Sequence, residues 1–63
     1  MKKYVLYKDI TGYKLTSLEN YNASIQDGNK IVNVKECWTM HDAITTVKYW
    51  MHLTDEQLII KES

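Results

Sequence analysis

Cys37 and His41 are the one nucleophile-and-base pair that lies close together in the sequence. A thiol beside an imidazole is the minimum for acyl-transfer chemistry, because the thiolate attacks and a neighbouring base takes its proton. That chemistry also needs an orienting group, oxyanion donors and a pocket that excludes water. A chain of 63 residues has little interior left to hollow out. Free cysteines are among the most buried residue types. The expectation is therefore a half-buried thiol beside a first-turn histidine, and no catalytic residues.

Metal and carboxylate chemistry fare no better. His41 and His52 lie eleven positions apart, which on a helix rising about 1.5 Å per residue separates them by on the order of 16 Å, too far to share an ion. Asp9, Glu19, Asp27, Glu36, Asp42, Asp55, Glu56 and Glu62 are spread evenly, and the single adjacent pair, Asp55-Glu56, suits a solvent-facing turn. Gly12 and Gly28 are the two glycines, which leaves no glycine-rich phosphate loop. No metal, no cofactor and no enzymatic activity are expected.

The aromatic residues are unusual. Five Tyr and two Trp occur with no Phe, so every aromatic side chain carries a polar handle, the kind enriched at interfaces. Tyr49, Trp38 and Tyr7 are the candidate partner-binding residues. Trp50 falls on the apolar stripe of a helix and is expected in the core. Together with the lack of catalytic groups, this favours a non-enzymatic protein-binding module, a small phage- or plasmid-type inhibitor or adaptor acting on a host protein. The rival reading is a single-stranded nucleic-acid binder that places Lys2, Lys3, Lys8 and Lys14 beside Tyr4, Tyr7 and Tyr13 on a sheet face.

Charge weighs against that rival. Eight lysines balance eight acidic residues, and there is no arginine, the residue best suited to bidentate phosphate and guanine contacts. Lys8 and Asp9 end the apolar run Tyr4–Tyr7 too early for a signal peptide, and no stretch approaches transmembrane length. The triplet Asn22-Ala23-Ser24 matches a glycosylation acceptor, but without an export signal it reads as chance. A cytoplasmic protein without membrane contact is expected. Cys37 stands alone, so no internal disulfide can staple the chain. Domains below roughly 70–80 residues usually need a staple, and self-association as a homodimer is the device that remains.

The elements that must position these residues follow from periodicity. Met40, Ala43, Ile44, Val47, Trp50 and Met51 share one face of a helix over Thr39–Leu53, with Asp42, Thr45, Tyr49 and His52 opposite. Thr39 suits its N-cap, with Asp42 three residues on. Lys3–Lys8 reads as a strand with β-formers on both faces, Ile10-Thr11-Gly12 as a turn, and Tyr13–Leu18 as a second strand. That strand is expected to run on, through a bulge or bend near Asn20, into the alternating stretch Tyr21–Gln26 before Asp27-Gly28, a strong hairpin signal, which would set Ala23 opposite Val32 and Tyr21 opposite Val34. Leu58-Ile59-Ile60 reads as a short last strand, with Thr54 as the alternative cap of a helix stub.

The order from Gln26 onward carries a resemblance. Gln26-Asp27-Gly28-Asn29-Lys30, a strand, the helix start Thr39-Met40-His41-Asp42 and Thr54-Asp55-Glu56 before Leu58–Ile60 resemble the small dimeric uracil-DNA glycosylase inhibitors of Bacillus phages. The resemblance implies a hairpin, one helix and a last strand that pair into a dimer and block an enzyme's DNA groove. The chain departs from the family in being neutral rather than acidic, and in having Ala43 near the position of the family's early-helix Phe. No functional residue transfers.

The expected fold is thus a single α+β domain over residues 1–63, an antiparallel sheet of three to four strands packed against one helix. Tyr21, Ala23, Ile25, Val32, Val34, Val47, Trp50 and Met51 would be buried together. Val5 and Tyr7 would remain surplus on the uncovered face, where a dimer through the first or last strand would cover them.

Overall fold

Tyr4, Val5, Leu6 and Tyr7 point alternately to the two faces of one strand, and all four are apolar enough to require a cover. In the computed structural model, which describes residues 1–25 and 28–61, each face receives one. The elements run β1 (Lys2–Asp9), β2 (Gly12–Ser17), α1 (Leu18–Ser24), β3 (Lys30–Cys37), α2 (Met40–Met51) and β4 (Leu58–Ile60). The four strands form one sheet in the order β3-β1-β2-β4, with β1 antiparallel to both neighbours and β4 parallel to β2. The α+β class holds. The sheet is mixed rather than wholly antiparallel, and the helices are two rather than one.

The missed helix, α1, replaces the expected strand Tyr21–Gln26. Over so short a stretch two periods fit the same residues: Tyr21, Ala23 and Ile25 alternate, but Leu18, Tyr21 and Ile25 also recur at helical spacing. Capping decides it. Ser17 is extended and its hydroxyl accepts from the Asn20 amide at 3.0 Å, while Glu19 sits in the positive first turn. Asn20 then donates to the buried Thr16 hydroxyl at 2.7 Å, tying the helix to β2. Ala23 is exposed, and Val32 and Val34 pair with no strand from this segment. For the hairpin turn, Gln26 and Asp27 lie outside the described residues; Gly28 has a φ of +78°.

Topology explains why the helices part company. β2, β3 and β4 all run in one direction, so α1 connects β2 to β3 and α2 connects β3 to β4 as parallel crossovers. The first passes across the sheet from β2 toward β3 and the second returns. Crossovers of one hand that travel in opposite directions lie on opposite faces.

On the α2 face, Tyr4, Leu6, Leu15, Ala43, Val47 and Leu58 form the buried cluster, flanked by Met40, Ile44, Met51 and Leu53. On the α1 face, Val5, Tyr7 and Thr16 are buried. Tyr7 meets Tyr21 of α1 edge-on at 5.3 Å between ring centres, and the Tyr21 hydroxyl donates to the Asn29 side chain. Val5 and Tyr7 are therefore covered within the chain. Since β1 has a strand on each side, it also offers no edge for a dimer. Trp50, Val32 and Val34 are exposed rather than core, because α2 turns Trp50 toward its flank and β3 is an edge strand.

Val47 is fully buried at the centre of the α2 face. Removing its methyls for a carboxylate would strand an unpaired charge, which costs more than the roughly 5–15 kcal/mol that holds a domain folded can absorb in so small a core. Val47→Asp is expected to abolish the cooperative thermal transition seen by circular dichroism; an unchanged melting curve would contradict this placement.

Candidate protein-interaction surface

The helix α2 begins where Thr39, extended, accepts from the Asp42 amide at 3.2 Å, and ends where His52 takes a left-handed φ of 56°. The N-cap is the expected one, and the helix ends at Met51, two residues before the expected Leu53. With the apolar stripe turned to the sheet, Asp42, Thr45 and Tyr49 face outward. The Thr45 hydroxyl donates back to the His41 carbonyl at 3.0 Å, so this polar face is partly self-satisfied. Lys48 pairs with Asp55 at the base of the helix.

Three aromatic rings on or beside α2 are exposed, Tyr49 on its outer face, Trp38 just before its start and Trp50 on its flank. Tyr49 is 84% exposed, Trp38 72% and Trp50 50%. Trp38 lines one shallow depression with His41, Asp42, Thr45 and Thr46, so its indole lies along the first turns of α2. Tyr49 stands one turn beyond Thr45, and Trp50 one turn beyond Thr46. The helical stretch from Met40 to Trp50 is on the order of 15 Å long. Lys35 of β3 holds its ammonium 4.6 Å from the centre of the Trp50 ring. Of the expected contact residues Trp38 and Tyr49 are exposed, and so is Trp50, which was expected in the core. Assigning Trp50 to the core rested on its place in the stripe. It occupies the stripe's margin, and periodicity alone does not say how wide a stripe the sheet covers.

Tyr7 is not part of any contact surface. It is 1% exposed, sealed beneath Tyr21. The same burial bears on the stacking platform, since Tyr4 and Tyr7 are both in the interior, Lys14 is buried, and Tyr13 is half-buried with the Lys8 ammonium 5.1 Å from its ring centre. Tyr4 and Tyr7 offer bases no exposed face, and Tyr13 is only half-exposed. Cys37 is half-buried against the α2-side cluster, and it and exposed His41 line the same depression as Trp38. Among the described residues no three His, Cys, Asp or Glu side chains converge as metal ligands, and no helix is long and apolar enough to cross a membrane.

A second polar cluster has no signal in the sequence. Lys14 is buried at the mouth of the β1–β2 hairpin, its ammonium 2.8 Å from the Asp9 carboxylate and bonded to the Thr11 hydroxyl. Asp9 also accepts from the Thr11 amide at 2.8 Å and its hydroxyl at 2.6 Å. The Lys14 ammonium first, and the Thr11 donors second, hold the Asp9 carboxyl well below the usual carboxylate range. Burial above all, and then the Asp9 charge and the neighbouring Tyr21, push the Tyr7 hydroxyl up. This arrangement closes the hairpin and neutralises its own charge, a structural clamp.

The chain matches no known protein family, no curated protein and no solved structure.

The clamp sets a pH dependence. A carboxyl with a folded pKa below its unfolded value of about 3.9 favours the folded state above that pH, and its contribution fades as the pH falls below about 4. Asp9→Asn is expected to lower the melting temperature at neutral pH and to flatten the loss of stability between about pH 4 and pH 2. Superimposable acid limbs for the two proteins would count against the clamp.

Proposed function

We propose that the chain is a non-enzymatic module that binds another protein through the outer strip of α2, with Tyr49, Trp38 and Trp50 as its anchors. One observation carries the reading: Tyr49 projects almost wholly into solvent from the middle of a helix face that is otherwise polar. A tyrosine there has no packing duty. It offers area and a hydroxyl at little entropic cost, as binding hot spots do. Trp38 and Trp50 are exposed beside it, and tryptophan is enriched among hot spots for the same reason. The resemblance to glycosylase inhibitors gives the class of partner to try first, a host enzyme that processes nucleic acid, with the chain acting as inhibitor or adaptor in the cytoplasm.

Tyr49→Ala is expected to change stability by no more than about 0.5 kcal/mol, as at other exposed sites. Partner affinity, measured by calorimetry on the protein captured from the native host, should fall by about 1–2 kcal/mol or more. Marked destabilisation with affinity intact would overturn the assignment.

A homodimer is a second reading, now confined to the last strand. β4 is the short free edge beyond β2, and its central residue Ile59 is exposed there. Pairing two copies edge to edge would close both open ladders. Sedimentation at micromolar concentration should then report twice the chain mass, reverting to monomer for Ile59→Lys; a monomer throughout would remove this reading.

A further inference from the structure

The strand β3 is the other edge of the sheet, paired with β1 on one side and open on the other. Directly opposed residues of an antiparallel pair share a face. Lys35 lies opposite Tyr4, Asn33 opposite Leu6 and Lys30 opposite Lys8, and Tyr4 and Leu6 belong to the α2-side cluster. On that face the edge therefore presents Lys30, Asn33 and Lys35, with Lys8 one strand in. Val34 lies opposite Val5 and Ile31 opposite Tyr7, on the α1 face. There α1 packs over β1 and β2, and Ile31, Val32 and Val34 are exposed. One side of the edge is cationic and the other aliphatic from Ile31 to Val34, ending at Glu36 opposite Lys3.

Among the described residues no carboxylate pairs with Lys8, Lys30 or Lys35. Lys8 and Lys30 stand directly opposite one another, an arrangement that repels. The Lys8 and Lys35 ammonium groups rest near the rings of Tyr13 and Trp50, which hold them in place and leave their charge intact. Among the described residues the ion pairs are Lys14–Asp9 and Lys48–Asp55, and neither uses these lysines.

We propose that the outer edge of β3 receives an extended segment of a partner protein in which acidic and aliphatic residues alternate. A strand has a side-chain period of two, so such a segment lays its carboxylates beside Lys30 and Lys35 and its aliphatic groups beside Ile31 and Val34. The open backbone donors and acceptors of β3 supply the ladder. A second copy of this chain is the wrong occupant. Two identical antiparallel strands pair about an axis normal to the sheet, which keeps like faces together and sets one lysine row beside the other. The lysines and the bulge opposite Leu6 and Tyr7 thus guard the edge against its own kind while leaving it open to a segment of opposite charge. This surface adjoins α2 where Lys35 meets Trp50, and it uses neither Tyr49 nor Trp38.

The test titrates the full chain with a blocked peptide of alternating Glu and Val, read by backbone amide shifts and hydrogen exchange. The controls are a peptide of the same composition with its Glu and Val residues grouped in two blocks, and one of alternating Lys and Val. The alternating acidic peptide should shift and protect β3 amides, with affinity falling as salt rises. Lys30→Glu with Lys35→Glu should weaken it by on the order of tenfold and admit the alternating Lys–Val peptide. Lys30→Glu alone, at an exposed position, should show a smaller loss if the double variant melts early. Tyr49→Ala should leave this binding unchanged. Equal binding of the alternating and grouped peptides, shifts confined to α2, or no binding at millimolar peptide would each overturn the proposal.

Discussion

Everything in this fold follows from a central strand that is apolar on both faces. Tyr4 and Leu6 turn one way, Val5 and Tyr7 the other, and all four are buried. Burying a side chain of this size is worth roughly 1.5–3 kcal/mol relative to leaving it in water, so neither face can be left open in so small a core. Such a strand must be internal, with hydrogen-bonded neighbours on both sides and a helix above and below. The strand order β3-β1-β2-β4 meets the first demand and the two opposed crossovers meet the second. The hairpin clamp of Asp9, Thr11 and Lys14 then holds β2 against β1 where the covering of α1 ends.

Centring the core on β1 has a consequence for the rest of the surface. Two short helices cover two central strands well and the outer strands poorly. Ile31, Val32 and Val34 on β3, Ile59 on β4 and Trp50 on the flank of α2 are all exposed for that reason. Scattered apolar residues on a surface need no explanation. Here several of them lie along the sheet edges and on α2, with Ile10 in the β1–β2 turn and Met1 exposed elsewhere. The aromatic strip of α2 and the two-sided edge of β3 meet at Trp50 and Lys35.

Legibility varied with the length of the periodic signal. The helix α2 spans three turns with an apolar stripe and a Thr39 cap, and its placement from the sequence was right to within two residues at the C-terminal end. The strands β1, β2 and β4 were legible too. The segment from Leu18 to Ser24 was not, because seven residues admit both periods and the cue that separates them is a single Ser17 hydroxyl. Of the candidate contact residues Tyr49 and Trp38 are exposed and Tyr7 is buried, whereas Trp50, expected in the core, is half-exposed. Tyr7 and Trp50 lie in patterns that give the face of an element without saying whether a neighbour covers it.

Local chemistry settles where elements begin, where they end and which side chains share a face, because propensity, capping and periodicity act over a few residues. It settles the β1–β2 turn at Ile10 and Thr11, the start of α2 at Thr39 and the doubly apolar character of β1. Which face is covered is a matter of strand order and crossover direction, and those depend on contacts between residues far apart in the chain. The parallel pairing of β4 with β2, the burial of Tyr7 under Tyr21 and the exposure of Val34 and Trp50 are of this kind. A side chain's exposure depends on its neighbours in space, and periodicity along the chain carries no record of them.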